Sequence, residues 1–359
     1  MPQNRPKILF VCSSGGHLDQ LFWLRSWWKH LPTVWATFDK PDARDRMHGL
    51  FWYQLAFPTN RNVPNAIRNA LKALRILRRE RPTVLVSSGA APAVPFFWIG
   101  RLLFRCRTVY LEPWDRVSRP TLTASLVQPV TNLGIASSPG QLPHWSRVTE
   151  AQAPLWRMSS RQYQAFGDGE AATGAERRGT PVRVLVTVGT HEEPFDRLIE
   201  LVDSLADSQE PGHVEFACQH GVSHLAHSYA SACDKAFFGY GEMVDLMNWA
   251  DILIAPASPG AATLGLRTGC RLLLLPRQAV HNEAVDDHQR DFMHVLGQLG
   301  LAEELTEESF ALTVKYATSS SPGSLEWAWR QACADYAREV ARVVLPSPPQ
   351  RLPFLPDGG

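Results

Sequence analysis

The stretch 182-VRVLVTVGTHEEPFD-196 decides the fold. A run of β-branched and apolar residues from Val182 to Val188 stops at Gly189-Thr190. His191-Glu192-Glu193-Pro194 then leads into apolar positions at helical spacing: Phe195, Leu198, Ile199, Val202 and Leu205. This reads as a buried parallel strand, a tight glycine turn, and a helix with acids in its first turn and a proline near its start. Such a turn leaves backbone N–H groups at a helix N-terminus able to hold a phosphate. Residues 7-KILFVCS-13 repeat the plan: the strand runs into Ser14-Gly15-Gly16-His17, and a helix is expected from Leu18. Each half therefore opens with strand, glycine turn and histidine-bearing loop, which predicts two nucleotide-type domains facing each other across a cleft.

Working outward, the second half alternates strand and helix. Strands are expected at 213–218, 236–239, 251–255 and 271–275, and helices at 241–249, 260–267, 284–299, 308–317 and 323–344. The first half offers strands at 33–37 and 51–57, a basic helix over 66–81, the strand VLVSSG after Pro82-Thr83, an apolar helix over 90–104 and the strand 108-TVYLE-112. Alternation with buried strands predicts α/β domains with doubly wound parallel sheets. The domains are placed at residues 1–165 and 181–322. A linker rich in glycine and small polar residues lies at 166–180, a C-terminal helix at 323–344 and a loose proline-rich tail at 345–359.

The 359 residues are 45% hydrophobic and 20% charged, as in a soluble globular protein. A net charge of +1 conceals an asymmetry: residues 1–165 hold 22 Lys and Arg against 8 Asp and Glu, and the remainder 14 against 27. A basic first half fits an anionic surface, and opposite charges also let the two halves attract each other. The helix over 66–81 and the segment around 90–104, with Phe96, Phe97, Trp98, Leu102, Leu103 and Phe104 beside Arg101, Arg105 and Arg107, read as elements that rest on acidic phospholipid headgroups. Packing outside or inside the core is the plainer alternative. Six scattered cysteines without zinc spacing, and an N-terminus without a signal-peptide core, point to a reduced cytoplasmic setting.

Ligands of doubly wound sheets bind at the carboxyl ends of strands. Those positions hold Gly189-Thr190-His191-Glu192, Gly239-Tyr240-Gly241-Glu242, Ser258-Pro259-Gly260, and Pro276-Arg277 leading to Glu283, Asp287, His288 and Gln289. Polar density of that kind after a buried strand is costly unless the groups meet solvent or a ligand. Carboxylates and amides suit sugar hydroxyls, and Arg277 suits phosphate or carboxylate. No metal motif, no DxD, no Walker A and no nucleophile elbow is seen, so metal, P-loop and serine-hydrolase chemistry are not expected.

Longer segments carry a resemblance. VCSSGGHLDQL, TFDKPDAR, FPTNRN, SSGAAPAVPFF and LEPWDRVSRPTLT are similar to the membrane-associated half of bacterial exopolysaccharide glycosyltransferases. VTVGTHEEPFDRLIE, ADILIAPASPGAAT and LLLPRQAVHNEAVDDHQ resemble their donor-binding half. Those halves are often separate subunits of the PssD/PssE type, related to the eukaryotic dolichol-linked Alg transferase pair; here they look fused. The resemblance implies a GT-B fold and inverting transfer from a UDP-sugar without metal or cofactor. Its acceptor would be a polyprenyl-diphosphate-linked saccharide at the inner membrane face, beside other polysaccharide-assembly enzymes and without nucleic acid. It further implies His17 as the general base and Ser14, Gly15, Gly16 and Glu112 at the acceptor diphosphate. Gly189, Thr190, His191 and Glu192 would line the cleft, and Ser258, Pro259, Gly260, Pro276, Arg277, Glu283, Asp287, His288 and Gln289 would hold the donor. The fused architecture favours glucuronate as the sugar. Two departures stand out: the family's His-Gly-Gly-Pro-Gly-Ser is here Pro256 to Ala261, and Ala284 replaces a histidine. They keep a catalytically impaired UDP-sugar-binding scaffold open, and a UDP-sugar epimerase shares the architecture.

Overall fold

The computed structural model describes residues 5–59, 62–158, 181–224, 231–317 and 324–345. The first half builds a seven-stranded sheet in the order β3-β2-β1-β4-β5-β6-β7. Its strands are β1 Ile8–Val11, β2 Thr33–Phe38, β3 Trp52–Leu55, β4 Val84–Ser87, β5 Arg107–Leu111, β6 Leu133–Ala136 and β7 Val148–Glu150. The second half builds a six-stranded sheet, β10-β9-β8-β11-β12-β13. Here β8 is Val182–Thr187, β9 Val214–Gln219, β10 Ser231–Lys235, β11 Ile252–Pro256, β12 Arg271–Leu275 and β13 Glu303–Glu304. All pairings are parallel. Central strands such as Ile8–Val11 are buried at every position, because helices cover both faces and leave no polar side to the strand.

Both sheets wind outward in two directions from a central pair, β1 with β4 and β8 with β11. The strand order reverses there, so the crossovers diverge and a crevice opens beyond the carboxyl ends. The helices are α1 Gly16–Phe22, α2 Arg25–Trp28, α3 Pro41–Met47, α4 Val63–Glu80, α5 Ala93–Leu103, α6 Leu122–Val127, α7 Asp196–Asp207, α8 Tyr240–Trp249, α9 Pro259–Thr268, α10 His288–Gln298, α11 Glu307–Ala317 and α12 Glu326–Val344.

Several elements differ from the sequence reading. The strand expected at 236–239 lies at Ser231–Lys235. As an edge strand it pairs, among the described residues, only with β9 and needs no apolar run, while Phe238 is buried and its N–H donates to Gln219 Oε1 at 3.0 Å. The helix expected from 284 begins at His288, because Asn282 is left-handed at φ 57° and turns the chain first. Helix α5 splits its aromatics. Phe96 and Phe97 are fully buried against β4 and β5, and only the outward side of the turn leaves Trp98, Leu102 and Leu103 exposed.

The C-terminal helix α12 returns to the first domain. Trp329 meets Trp23 edge-on at 5.2 Å, Arg157 pairs with Glu339, and Arg107 Nη2 donates to Val343 O at 3.1 Å. Its start stays tied to the second domain through Glu326 and Arg267 at 2.7 Å. Trp329, Ala332, Tyr336 and Val340 form its buried face, each large side chain contributing roughly 1.5–3 kcal/mol of apolar burial. The expected linker 166–180 and the tail beyond residue 345 lie outside the described residues.

Candidate functional site

In the first domain the loops after β1 and β4 lock together. Ser88 Oγ donates to the His17 carbonyl at 2.7 Å, and His17 Nδ1 lies 2.8 Å from the Ser88 carbonyl. A carbonyl only accepts, so Nδ1 carries the hydrogen and Nε2 keeps its lone pair in the neutral ring. Burial pushes the imidazole below its ordinary value and outweighs the nearby Asp115, so His17 is neutral at pH 7. Gly89, at φ 120°, makes the approach possible: a Cβ there would sit 3.0 Å from His17 Cε1 and 2.8 Å from Tyr110 Oη. Gly15, at φ 74°, donates its N–H to Asp42 Oδ2 at 2.8 Å, and a Cβ on it would lie 2.6 Å from Thr190 Oγ1 of the opposite domain.

The second domain supplies the facing loops. Glu193 N–H donates to His191 Nδ1 at 3.2 Å, so the hydrogen of that ring is on Nε2. Desolvation by the surrounding cleft, then the charges of Arg277 and Lys40, push His191 down to about 4, which leaves it a neutral donor. His288 behaves oppositely. Burial lowers it, yet Asp115 at 3.3 Å and Asp286 at 2.5 Å outweigh burial and raise it to about 9. Arg116 Nη1 donates to Asp286 Oδ2 at 2.6 Å, which closes a four-membered charged cluster with two members from each domain.

Further contacts cross the cleft: Lys40 Nζ to the Thr190 carbonyl at 2.6 Å, Thr59 N–H and Oγ1 to Glu192, and Arg46 over the Tyr240 ring at 3.7 Å. Between them lies a cavity of about 600 Å³ lined by both domains. It presents a neutral imidazole that can accept a proton, a neutral imidazole that can donate a hydrogen bond, and cations suited to an anion.

Of the residues that the resemblance assigns to the site, Ser14, Gly15, Gly16, His17, Gly189, Thr190, His191, Glu192, Ser258, Pro259, Gly260, Arg277, His288 and Gln289 line this cavity. Four others do not. Glu112 is buried and accepts from Thr121 N–H at 2.6 Å, with burial raising it to about 8. Glu283 takes both Arg197 nitrogens, at 3.0 and 2.9 Å. Asp287 accepts from Ala279 N–H at 2.8 Å, and the Pro276 carbonyl accepts from Arg197 at 2.8 Å. Arg277 differs from its expected role even though it lines the cavity. Only 1% exposed, it spends Nη1 and Nη2 on the carbonyls of Glu193, Pro194, Glu283 and Val188, and so braces the loop after β8 against the loop after β12.

Lys40, Asp42, Arg46, Asp115 and Arg116 also line the cavity and were not among the residues singled out. Their signal was position: 39-DKPDARDR-46 follows β2 and 113-PWDR-116 follows β5, both at carboxyl ends of strands.

Among solved structures, MurG of Acinetobacter baumannii is 15% identical with a TM-score of 0.53, covering 94% of this chain and 99% of that one. UDP-N-acetylglucosamine 2-epimerase of Rickettsia bellii is 12% identical with a TM-score of 0.62, covering 95% and 96%. The fold is GT-B. Residues 183–324, most of the second GT-B domain, match the glycosyltransferase family 28 C-terminal domain. A curated relative from Xylella fastidiosa strain Temecula1 is 27% identical over 257 residues, which is 67% of this chain and 63% of the relative. It is a UDP-N-acetylglucosamine–N-acetylmuramyl-(pentapeptide) pyrophosphoryl-undecaprenol N-acetylglucosamine transferase, and the strain M23 counterpart is equally similar. The chain thus spans less than two thirds of the length of these relatives.

Proposed function

We propose that this chain is an inverting, metal-independent glycosyltransferase that moves a sugar from a UDP-sugar to a polyprenyl-diphosphate-linked glycan in exopolysaccharide or capsule biosynthesis. The observation that carries this reading is His17. It is a neutral imidazole with its hydrogen fixed on Nδ1 by Ser88, set in the wall of a cavity whose other wall is the family 28 domain. A base is needed because the acceptor hydroxyl must lose its proton as it attacks C1 of the sugar. The named activity of the Xylella relatives, transfer to a pyrophosphoryl-undecaprenol substrate, supports a lipid-linked acceptor. Glucuronate is the favoured sugar on the resemblance of the fused architecture; Arg277 gives it no support, because its amino groups are spent on carbonyls.

The reading places the protein peripherally on the inner face of the cytoplasmic membrane, and an unusual helix supports this. The inward side of α4 carries Asn65 and Asn69, whose amides bond the Pro58 and Ala56 backbone, while Ile67, Leu71 and Leu74 face out among arginines. Exposed Leu102 and Leu103 of α5 and Leu126 of α6 lie on neighbouring helices, with Trp98 Nε1 joined to the Leu126 carbonyl at 3.0 Å. Apolar groups beside cations suit an anionic lipid surface. Among the described residues no helix is long and apolar enough to cross a membrane.

The test is a panel of labelled UDP-sugars incubated with membranes that hold lipid-linked acceptors. Label entering the lipid fraction, from UDP-glucuronate above other donors, is the expected result. Conversion of a donor without any acceptor would favour the epimerase. UDP binding without turnover would favour the scaffold and point to the altered loop at 256–261.

A further inference from the structure

The proposed reaction releases UDP, and the cavity must hold the charge that gathers on it. The acceptor oxygen bonds to C1 as the bond from C1 to the β-phosphate oxygen breaks. The electron pair leaves on that oxygen, and the acceptor's proton passes to His17 Nε2. The cations of the cavity can be compared for this task. Arg46 is paired with Asp19, Arg116 with Asp286, Arg267 with Glu326, and His288 with Asp115 and Asp286. Arg277 is bound to four carbonyls. Lys40 stands apart. It is 8% exposed, lines the cavity, and among the described residues has no carboxylate within ion-pair distance.

The surroundings of that ammonium hold it in place without neutralising it. Nζ donates to the Thr190 carbonyl at 2.6 Å and sits over the Phe57 ring at 4.0 Å. Its nearest acids, Asp42 and Glu192, attract it through space without a direct ion pair, while they accept from Gly15 N–H and from Thr59. One carbonyl and two rings, Phe57 and Phe237, leave donors of an ammonium to spare, and burying a cation without a direct ion pair is costly. Thr190 belongs to the glycine turn after β8, opposite the Gly15 loop.

We propose that Lys40 is a catalytic residue that binds the donor's diphosphate and takes up the negative charge of departing UDP. It comes from the first domain and acts at the nucleotide turn of the second. This inference rests on the UDP-sugar reading above.

Calorimetric titration of the full chain with UDP and with uridine separates the possibilities. Wild type is expected to bind both, and Lys40→Met to weaken UDP roughly 10- to 100-fold, the worth of a charge-assisted contact, with uridine unchanged. Lys40→Arg should recover part of the UDP affinity and of kcat. Equal loss for uridine and UDP would show that Lys40 only holds the domains together and would overturn the proposal. So would unchanged UDP affinity in Lys40→Met. UDP unaffected but UDP-glucuronate weakened relative to UDP-glucose would reassign the lysine to a sugar carboxylate, again overturning it. If wild type binds no UDP at all, the donor reading itself falls.

Discussion

At the scale of single residues, two desolvated groups set the pH behaviour. His17 is lowered by burial, so it becomes protonated only below the ordinary histidine range near about 6.5. The pH profile of kcat/KM should therefore show an acid limb displaced below that value, activity falling as pH falls through it; a limb at or above 7 would contradict the assignment. Glu112 is raised to about 8 by burial, while the unfolded carboxyl titrates near about 4.3. Its protonated form favours the fold, so that contribution fades as pH rises towards about 8. Glu112→Gln keeps an acceptor for Thr121 N–H and removes the charge. Its Tm gain over wild type should be larger at pH 8.5 than at pH 6, and an equal shift at both would count against the account. Residue identity alone did not reveal either environment. His17 was legible as a histidine after a glycine loop. The burial of Glu112 depends on the segment around Thr121 folding over it, which no local pattern in 108–112 announces.

At the scale of elements, strand–turn–helix units were readable because a parallel strand covered on both faces is apolar over its buried length and must end in a turn, as Val184 to Gly189 shows. Edge and amphipathic elements were harder. Strand β10, paired on one side only, carries Ser231, Asp234 and Lys235 and left no apolar run to find. Helix α5 reads as uniformly apolar, so only its packing separates buried Phe96 and Phe97 from exposed Leu102 and Leu103. The stretch 276–289 reads as ligand-facing because it is polar, yet Arg277 and Glu283 use that polarity to hold the loops themselves. For α4, Ile67→Glu with Leu71→Glu should abolish flotation with vesicles containing anionic lipid and shift Tm by no more than a few degrees, since both side chains are more than half exposed. Undiminished flotation would remove α4 from the membrane surface.

At the scale of the whole molecule, the closed cleft depends on groups that the two sheets bring together from distant sequence. His288 is raised to about 9 by its two aspartates, above an unfolded histidine near about 6.5. Its stabilisation is complete below the unfolded value and is lost as pH rises through about 9. The Tm deficit of His288→Gln should accordingly be largest below pH 6.5 and vanish above pH 9.5, and a deficit that grows with pH would refute the cluster. The most direct measurement of the central claim is single-turnover transfer of labelled sugar from the preferred UDP-sugar to a lipid-linked acceptor, by wild type and by His17→Gln, with UDP affinity measured alongside. The account predicts lipid-linked product from wild type, a fall of roughly 10²–10⁴-fold in His17→Gln, and UDP affinity unchanged. Transfer by His17→Gln at the wild-type rate, or intact UDP binding with no lipid-linked product from wild type, would contradict it.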